Sequence, residues 1–245
     1  MIITPNLKDK VALVTGASRG IGAAIAVALA EAGAAVVVNY RERADAADAL
    51  VADLNKAGHR AMAVAADVSQ AAAVASMIER VTSALGAIDV LVNNAGIAIV
   101  RGVDDLTEKD FDRTISVNLK SAFLCTQAVL PSMRAKKWGR IVNVSSGAAR
   151  GAGSIGPHYN ASKAAMEGLT RGYAARLVKD GITVNAVAPS LIHTDMMSGR
   201  PELAARIPLG RLGQPEEVAQ AVLMALGNDY MTGQTIVLNG GMAFV

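Results

Sequence analysis

The chain has one cysteine, one tryptophan and three histidines in 245 residues, and aromatics make up only 3% of it. With Cys125 alone, no intrachain disulfide can form. Its neighbours Phe123, Leu124 and Val129 make it read as a buried structural thiol rather than a nucleophile. Three scattered histidines do not compose a metal site, and no metal is expected. The formal charge is +3 with no long basic run, too slight a bias to point to nucleic acid. No apolar stretch is long enough to span a bilayer, and the N-terminus lacks the charged start and apolar core of an export signal. Neither nucleic acid nor membrane is an expected partner, and the cytoplasm is the expected location.

What the chain has in quantity is small aliphatic side chains. The hydrophobic share is 52%, so Ala, Val, Leu, Ile and Gly must build the interior, as in a parallel sheet buried under closely packed helices. Strand-like and helix-like segments alternate from end to end. Strands are predicted at 11–15, 35–40, 60–66, 90–93, 140–144, 183–188 and 235–238. Helices are predicted at 21–32, 44–57, 71–85, 111–135, 158–179 and 216–226, the first three stopped by Gly33, Gly58 and Gly86. This alternation argues for an α/β fold, a doubly wound seven-stranded parallel sheet, because right-handed crossovers put helices on both faces. No linker, repeat or low-complexity stretch divides the chain, so residues 1–245 read as one domain. Residues 190–212, weakly periodic and holding two prolines, are the expected substrate lid, packed by Met196 and Met197.

The first strand runs into Thr15-Gly16-Ala17-Ser18-Arg19-Gly20-Ile21-Gly22, which opens a helix. Glycines here let the backbone turn tightly and approach a pyrophosphate at the helix's positive end. The spacing G-x-x-x-G-x-G departs from the commoner G-x-G-x-x-G, and alone it also fits a plain glycine-rich turn. The end of the second strand should read an adenosine ribose, where a carboxylate would accept from the 2′-hydroxyl and repel a 2′-phosphate. Asn39, Tyr40 and Arg41 stand there, with Arg19 in the glycine loop. Two guanidinium groups and no carboxylate at the tip favour NADP(H) over NAD(H). The alternative is that Arg41 projects into water or pairs with Glu42. Asp67, after the third strand, is placed to accept from the adenine amino group. Asn93-Asn94-Ala95-Gly96 follows the fourth strand at the same edge, though in isolation it also fits a turn.

Ser146 ends the fifth strand, and Tyr159 and Lys163 open the next helix one turn apart, so phenol and ammonium address one region. A free tyrosine has a pKa of about 10, and a nearby cation favours the phenolate. A shift of about three units would need roughly 4 kcal/mol of differential stabilisation. Tyr159 is then expected to give a proton to a carbonyl oxygen that receives hydride, with Ser146 holding the same oxygen. Tyr-x-x-x-Lys alone is common surface decoration. Its place downstream of a dinucleotide loop and a strand-end serine is what gives it meaning.

Together these motifs resemble the short-chain dehydrogenase/reductase family over nearly the whole chain. The matching elements are Thr15-Gly16-x-x-x-Gly20-x-Gly22, Asp67, Asn93-Asn94-Ala95-Gly96, Asn118, Ser146, Tyr159, Lys163 and Pro189 with Thr194. The resemblance implies a Rossmann-type fold and a catalytic tetrad of Asn118, Ser146, Tyr159 and Lys163. Lys163 would also bind the nicotinamide ribose, and Asn118 would hold a water that relays protons past it. Pro189, Ile192 and Thr194 would border the nicotinamide, and Ser18, Ile21 and Val68 complete the expected cofactor contacts. Ile97, Ala98, Ala148, Gly151 and Leu191 are expected beside the substrate. The family's usual tetramer would pack helices 111–135 and 158–179 between subunits, where Ala161, Ala164 and Ala165 permit close approach.

Within the family, Ile182-Thr183-Val184-Asn185 and Thr232-Gly233-Gln234 look most like 3-oxoacyl-(acyl-carrier-protein) reductases. The resemblance implies an NADP(H)-dependent reductase of a ketone or acyl thioester, with an acyl carrier protein as a possible partner. Two departures stand out. Asp180 occupies a position where such reductases commonly carry a carrier-gripping base, leaving Lys136, Lys137 and Lys179 as the candidate patch or as helix-end charges. Ser190 replaces the glycine usual after the motif proline. His158 and His193 adjoin motifs and are expected to be structural or to edge the substrate, since the chemistry needs no imidazole. The competing readings are an NAD-dependent sugar, polyol or hydroxysteroid dehydrogenase, and a nucleotide-sensing protein without catalysis. The second typically lacks the tyrosine or lysine, and both are present here.

Overall fold

Strand β1 (Val11–Val14) is the first of a regular alternation in the computed structural model, which describes residues 5–195 and 201–244. It is followed by α1 (Gly20–Glu31), β2 (Ala35–Tyr40), α2 (Ala44–Lys56), β3 (Ala61–Ala65), α3 (Ala71–Leu85) and β4 (Val90–Asn93). Then come α4 (Glu108–Ile115), α5 (Ser121–Lys136), β5 (Gly139–Val144), α6 (Pro157–Leu177), β6 (Ile182–Pro189), α7 (Pro215–Gly227) and β7 (Thr235–Leu238). All seven strands run parallel in the order β3-β2-β1-β4-β5-β6-β7. Every residue of β1, β4, β5 and β6 is buried. These strands are rich in Val, Ile, Leu and Ala, since a parallel sheet is covered on both faces, with Asn93, Arg140, Asn143, Thr183 and Asn185 as their buried polar exceptions.

Two apolar layers cover the sheet. On one face Ile25 and Leu29 of α1, Leu54 of α2 and Val218 and Val222 of α7 pack on Val14, Val36 and Val92. On the other, Met77 and Val81 of α3, Val129 and Met133 of α5 and Leu177 of α6 pack on Leu13, Leu91 and Ile141. Sheet order reverses between β1 and β4, and the crevice beyond the carboxyl ends of these two strands is where such sheets take ligands.

The helix predicted at 111–135 is not one uniform coil. Helix α4 leads into a π-helical turn, Ser116–Lys120, and only then into α5. Such wide turns are frequent at functional sites, and this one carries Asn118. Helix α6 begins with Pro157 in its first turn, where a missing N–H is harmless. It closes through a short 3₁₀ turn, Val178–Asp180, onto Gly181 at φ +74°. At the base of the expected lid, Ile192 pairs with Gly213 in an isolated bridge, and Pro201–Arg206 forms a short 3₁₀ helix. Met196 and Met197 lie outside the described residues. Among those described, no helix is long and apolar enough to cross a membrane.

Candidate active site

The glycine loop is held from two sides. Thr15 Oγ1 accepts the backbone N–H groups of Asn94 and Ala95, both at 3.0 Å. Asn94 Nδ2 donates to the carbonyls of Thr15 and Gly16 at 3.0 and 2.9 Å. From the other side, Asn39 Oδ1 accepts the Gly16 N–H at 3.2 Å, and Asn39 Nδ2 donates to Val64 and Ala66 carbonyls at 3.2 and 3.1 Å. Asn39 is buried, so its amide shapes the loop from inside; the expectation that it faces the adenosine ribose is corrected accordingly. Tyr40 and Arg41 are the more open pair at that strand end.

Two glycines are fixed by sterics. Gly16 has φ +62°, and a Cβ there would sit 2.9 Å from Ala95 Cα. A Cβ on Gly22 would fall 2.5 Å from both Asn94 Nδ2 and the Gly16 carbonyl oxygen. Helix α1 starts with no capping side chain and no acidic residue in its first turn. Its leading N–H groups and positive dipole end thus face the loop's mouth, a cradle that suits a pyrophosphate.

Around that mouth, Arg19 Nη1 pairs with Asp195 Oδ2 at 2.9 Å, and a Cβ on Gly20 would lie 3.3 Å from Thr194 Cγ2. Glycine loop and the segment after β6 therefore meet across the crevice, with Ser18 half-buried beside them. Arg41 pairs with Glu42 and lies 3.9 Å from Asp67. Burial pushes the Asp67 carboxyl up, but hydrogen bonds from the Ser69 hydroxyl and amide, with the Arg41 charge, outweigh it and leave it below its ordinary value. Val68 and Ile192 are buried, so neither presents its side chain broadly to the crevice.

Ser146, Tyr159, Lys163 and Asn118 converge beyond β4 and β5. Ser146 Oγ accepts the Ala148 N–H at 3.2 Å, and its hydroxyl is close enough to the Tyr159 phenol to favour the phenolate. The Lys163 ammonium lies 5.9 Å from the centre of the Tyr159 ring and donates to the Val144 carbonyl at 2.8 Å. Asn118 Oδ1 accepts the Ile97 N–H at 2.8 Å, while its Nδ2 donates to the Ile97 carbonyl and Ser162 Oγ, both at 3.1 Å. A Cβ on Gly96 would stand 3.4 Å from Asn118 Oδ1 and 3.6 Å from Lys163 Nζ, so that glycine opens the space beside both. Pro189 ends β6, Ala148 and Leu191 are half-buried, and Gly151 is exposed.

The lowering of the Tyr159 phenol, expected from the ammonium together with the nicotinamide's charge, is not seen in the protein alone. Burial pushes the Tyr159 phenol up, offset only in part by the Ser146 hydrogen bond, instead of the neighbouring cation pulling it down. Burial also drives the Lys163 ammonium down to about 8. In the protein alone, desolvation outweighs a cation centred nearly 6 Å away.

Two contributors escaped the sequence reading, and a third, His158, takes the structural role expected of it. Thr15 was visible only as part of the loop motif, yet its hydroxyl aligns the Asn94–Ala95 backbone. His158, fully buried, has Nε2 2.9 Å from the Ile99 carbonyl, binding the loop after β4 to the start of α6. Ser145 and Glu167 form a buried pair beside Lys163. Only strand-end register and helix facing identify these roles, and neither is written locally. The candidate basic patch is also altered: Asp180 accepts from Arg134 Nε at 2.9 Å and Lys137 Nζ at 3.5 Å, and Lys136 pairs with Asp89 at 2.6 Å.

A family model described as short chain dehydrogenase matches residues 10–203. A curated relative, the (2S)-[(R)-hydroxy(phenyl)methyl]succinyl-CoA dehydrogenase subunit BbsD of Thauera aromatica, is 43% identical, the match covering 96% of this chain and 97% of that protein. A 3-oxoacyl-[acyl-carrier-protein] reductase of Synechocystis is 45% identical, with 96% and 98% covered. Among solved structures, a short chain dehydrogenase from Burkholderia cenocepacia in complex with NADP superposes with a TM-score of 0.89 at 39% identity, covering 97% of this chain and 99% of that one. With the glycine loop, the seven-stranded parallel sheet and these matches in agreement, the chain belongs to the short-chain dehydrogenase/reductase family of oxidoreductases.

Proposed function

We propose that this enzyme reduces a ketone, in the first place a 3-oxoacyl thioester, with NADPH. The observation that carries the reading is the Ser146 hydroxyl after β5 beside the Tyr159 phenol of α6, with the Lys163 ammonium 5.9 Å from the Tyr159 ring. A bound nicotinamide supplies the hydride when the carbonyl is reduced and accepts it in the reverse direction. Tyr159, raised by burial and therefore protonated at neutral pH, donates its proton to the developing alkoxide. Ser146 donates a hydrogen bond to the same oxygen and holds it within reach. The Lys163 ammonium stabilises the phenolate left behind. Gly16, Gly20, Ile21 and Gly22 would cradle the pyrophosphate, and Ala95 and Gly96 would line the nicotinamide side.

Arg19 and Arg41 support NADP(H) over NAD(H), as the 2′-phosphate would displace their carboxylate neighbours. The Burkholderia relative's complex with NADP agrees with this preference. For the acyl group, an acidic carrier protein would approach cations already engaged by Asp180 and Asp89. A coenzyme A thioester is therefore the favoured form, in keeping with the coenzyme A substrate named for the Thauera relative.

The test is optical: oxidation of NADPH and of NADH with acetoacetyl-CoA, the same acyl group on a carrier protein, and simple ketones, diketones and quinones. NADPH-dependent turnover of the thioester above the free carbonyls is expected. Turnover confined to free carbonyls makes the enzyme a general carbonyl reductase, and preference for NADH refutes the role given to the two arginines. Tyr159→Phe is expected to lower kcat by about 10²- to 10⁴-fold, with NADPH affinity retained.

A further inference from the structure

Glu167 takes no part in the chemistry above, yet its carboxylate is buried on α6, one helical turn beyond Lys163. A carboxylate removed from water is costly unless it is paired and hydrogen-bonded. This one is met from two directions. Arg150 Nε donates to Oε2 at 3.1 Å, and the Ser145 hydroxyl lies 3.4 Å from Oε1. The same Ser145 proton is shared with the Lys163 backbone carbonyl at 3.2 Å.

The two partners bracket Ser146 in the chain: Ser145 stands just before it and Arg150 four residues after. Between them runs the short 3₁₀ turn Gly147–Ala149, which Ser146 itself caps. Farther along, Asn160 Nδ2 donates to the Gly151 and Ala152 carbonyls at 2.7 and 2.6 Å, tying the loop to the residue beside Tyr159. The Ser146 loop is thus fastened to α6 at its root and crown, and α6 is the helix that carries Tyr159 and Lys163.

We propose that Glu167 is a positioning residue, which, by holding Ser145 and Arg150 on α6, sets Ser146 against Tyr159. This rests on the reading of Ser146 and Tyr159 as the pair that holds the reacting oxygen. Stability alone does not call for the ion pair, because apolar side chains of similar volume usually fill such a space as well or better. What the charges add is one arrangement of the loop, since a carboxylate bonded at both oxygens has a single register. Reacting groups displaced by about 1 Å lose on the order of 100-fold in rate.

The experiment compares Glu167→Gln, the double variant Arg150→Met with Glu167→Leu, and Ser146→Ala. Melting temperature, kcat, KM and NADPH affinity are measured for each. Glu167→Gln is expected to lower both melting temperature and kcat. The apolar double variant is expected to regain the melting temperature while kcat stays about 10- to 100-fold down, with NADPH affinity unchanged. Added to Ser146→Ala, the double substitution should lower kcat no further. If kcat recovers together with the melting temperature, the pair is only structural and the inference is overturned. If Ser146→Ala itself leaves kcat intact, the reading of the site fails first, which separates the two failures.

Discussion

Lys163 is buried without a carboxylate partner among its described contacts, and its folding energetics run against its proposed use. Burial lowers its ammonium to about 8, whereas in the unfolded chain it holds its proton to about 10.4. Below pH 8 both states are protonated and the burial penalty, about 3 kcal/mol, is fully present. Between pH 8 and 10.5 the unfolded state binds more protons, so this residue's contribution makes stability rise with pH there. Lys163→Met is therefore expected to be inactive yet more stable at pH 7, by about 1–3 kcal/mol in denaturant titration. A less stable Met variant would mean that the Val144 hydrogen bond outweighs the desolvation. Residue types and spacing made Ser146, Tyr159 and Lys163 legible in the sequence. The direction of the Tyr159 shift was not, because it depends on burial by segments distant in the chain. Asn39 was legible as polar and strand-terminal, but its inward orientation is set by the carbonyls of β3 and the following turn.

At the scale of elements, the loop between β1 and α1 works because three segments share its atoms. Gly22→Ala would drive a methyl into Asn94 Nδ2 and the Gly16 carbonyl. Overpacking of this kind costs about 1–3 kcal/mol, and relief requires Asn94 to leave its two carbonyl partners. We expect a lower melting temperature and at least about tenfold weaker NADPH binding by fluorescence titration, since the N–H cradle moves with the loop. Unchanged affinity would show that Asn94 yields without disturbing the loop. This βα junction was readable because glycine spacing encodes it. The π turn at 116–120 was not, since its residues keep helical periodicity and the wide coil coincides with Asn118's hydrogen bonds to Ile97 and Ser162. Neither partner is near it in sequence.

At the scale of the whole molecule, fold class and strand count were legible because β-rich aliphatic runs alternate with helical ones, the first three helices stopped by Gly33, Gly58 and Gly86. One surface is where the family resemblance would place subunit contacts. Ile115, Leu119, Phe123, Ala165 and Leu169 surround a shallow apolar depression over α4, α5 and α6, and Phe123 remains 44% exposed. Lys120 completes the lining of the depression, and the family resemblance implies that a second copy of the chain packs there. We therefore expect an oligomer, a tetramer by that resemblance, in size-exclusion chromatography with light scattering. Phe123→Glu should reduce it to a smaller species at equal concentration. A wild-type monomer at micromolar concentration would refute the assignment.

Trp138, the chain's one indole, lies between the Lys10 ammonium and the Arg140 guanidinium, 4.2 and 4.5 Å from its ring. It stands just before β5, whose opposite end leads into Ser145 and Ser146. Six residues of strand put roughly 20 Å between that ring and the reacting groups. Tryptophan emission thus has a single origin, remote from the crevice yet fastened to the central sheet. A change in its emission in denaturant would report the loss of the Lys10 and Arg140 contacts at the start of β5, and quenching by a bound reduced dinucleotide would proceed by energy transfer through space, making this residue an optical ruler from the floor of the sheet to the cofactor.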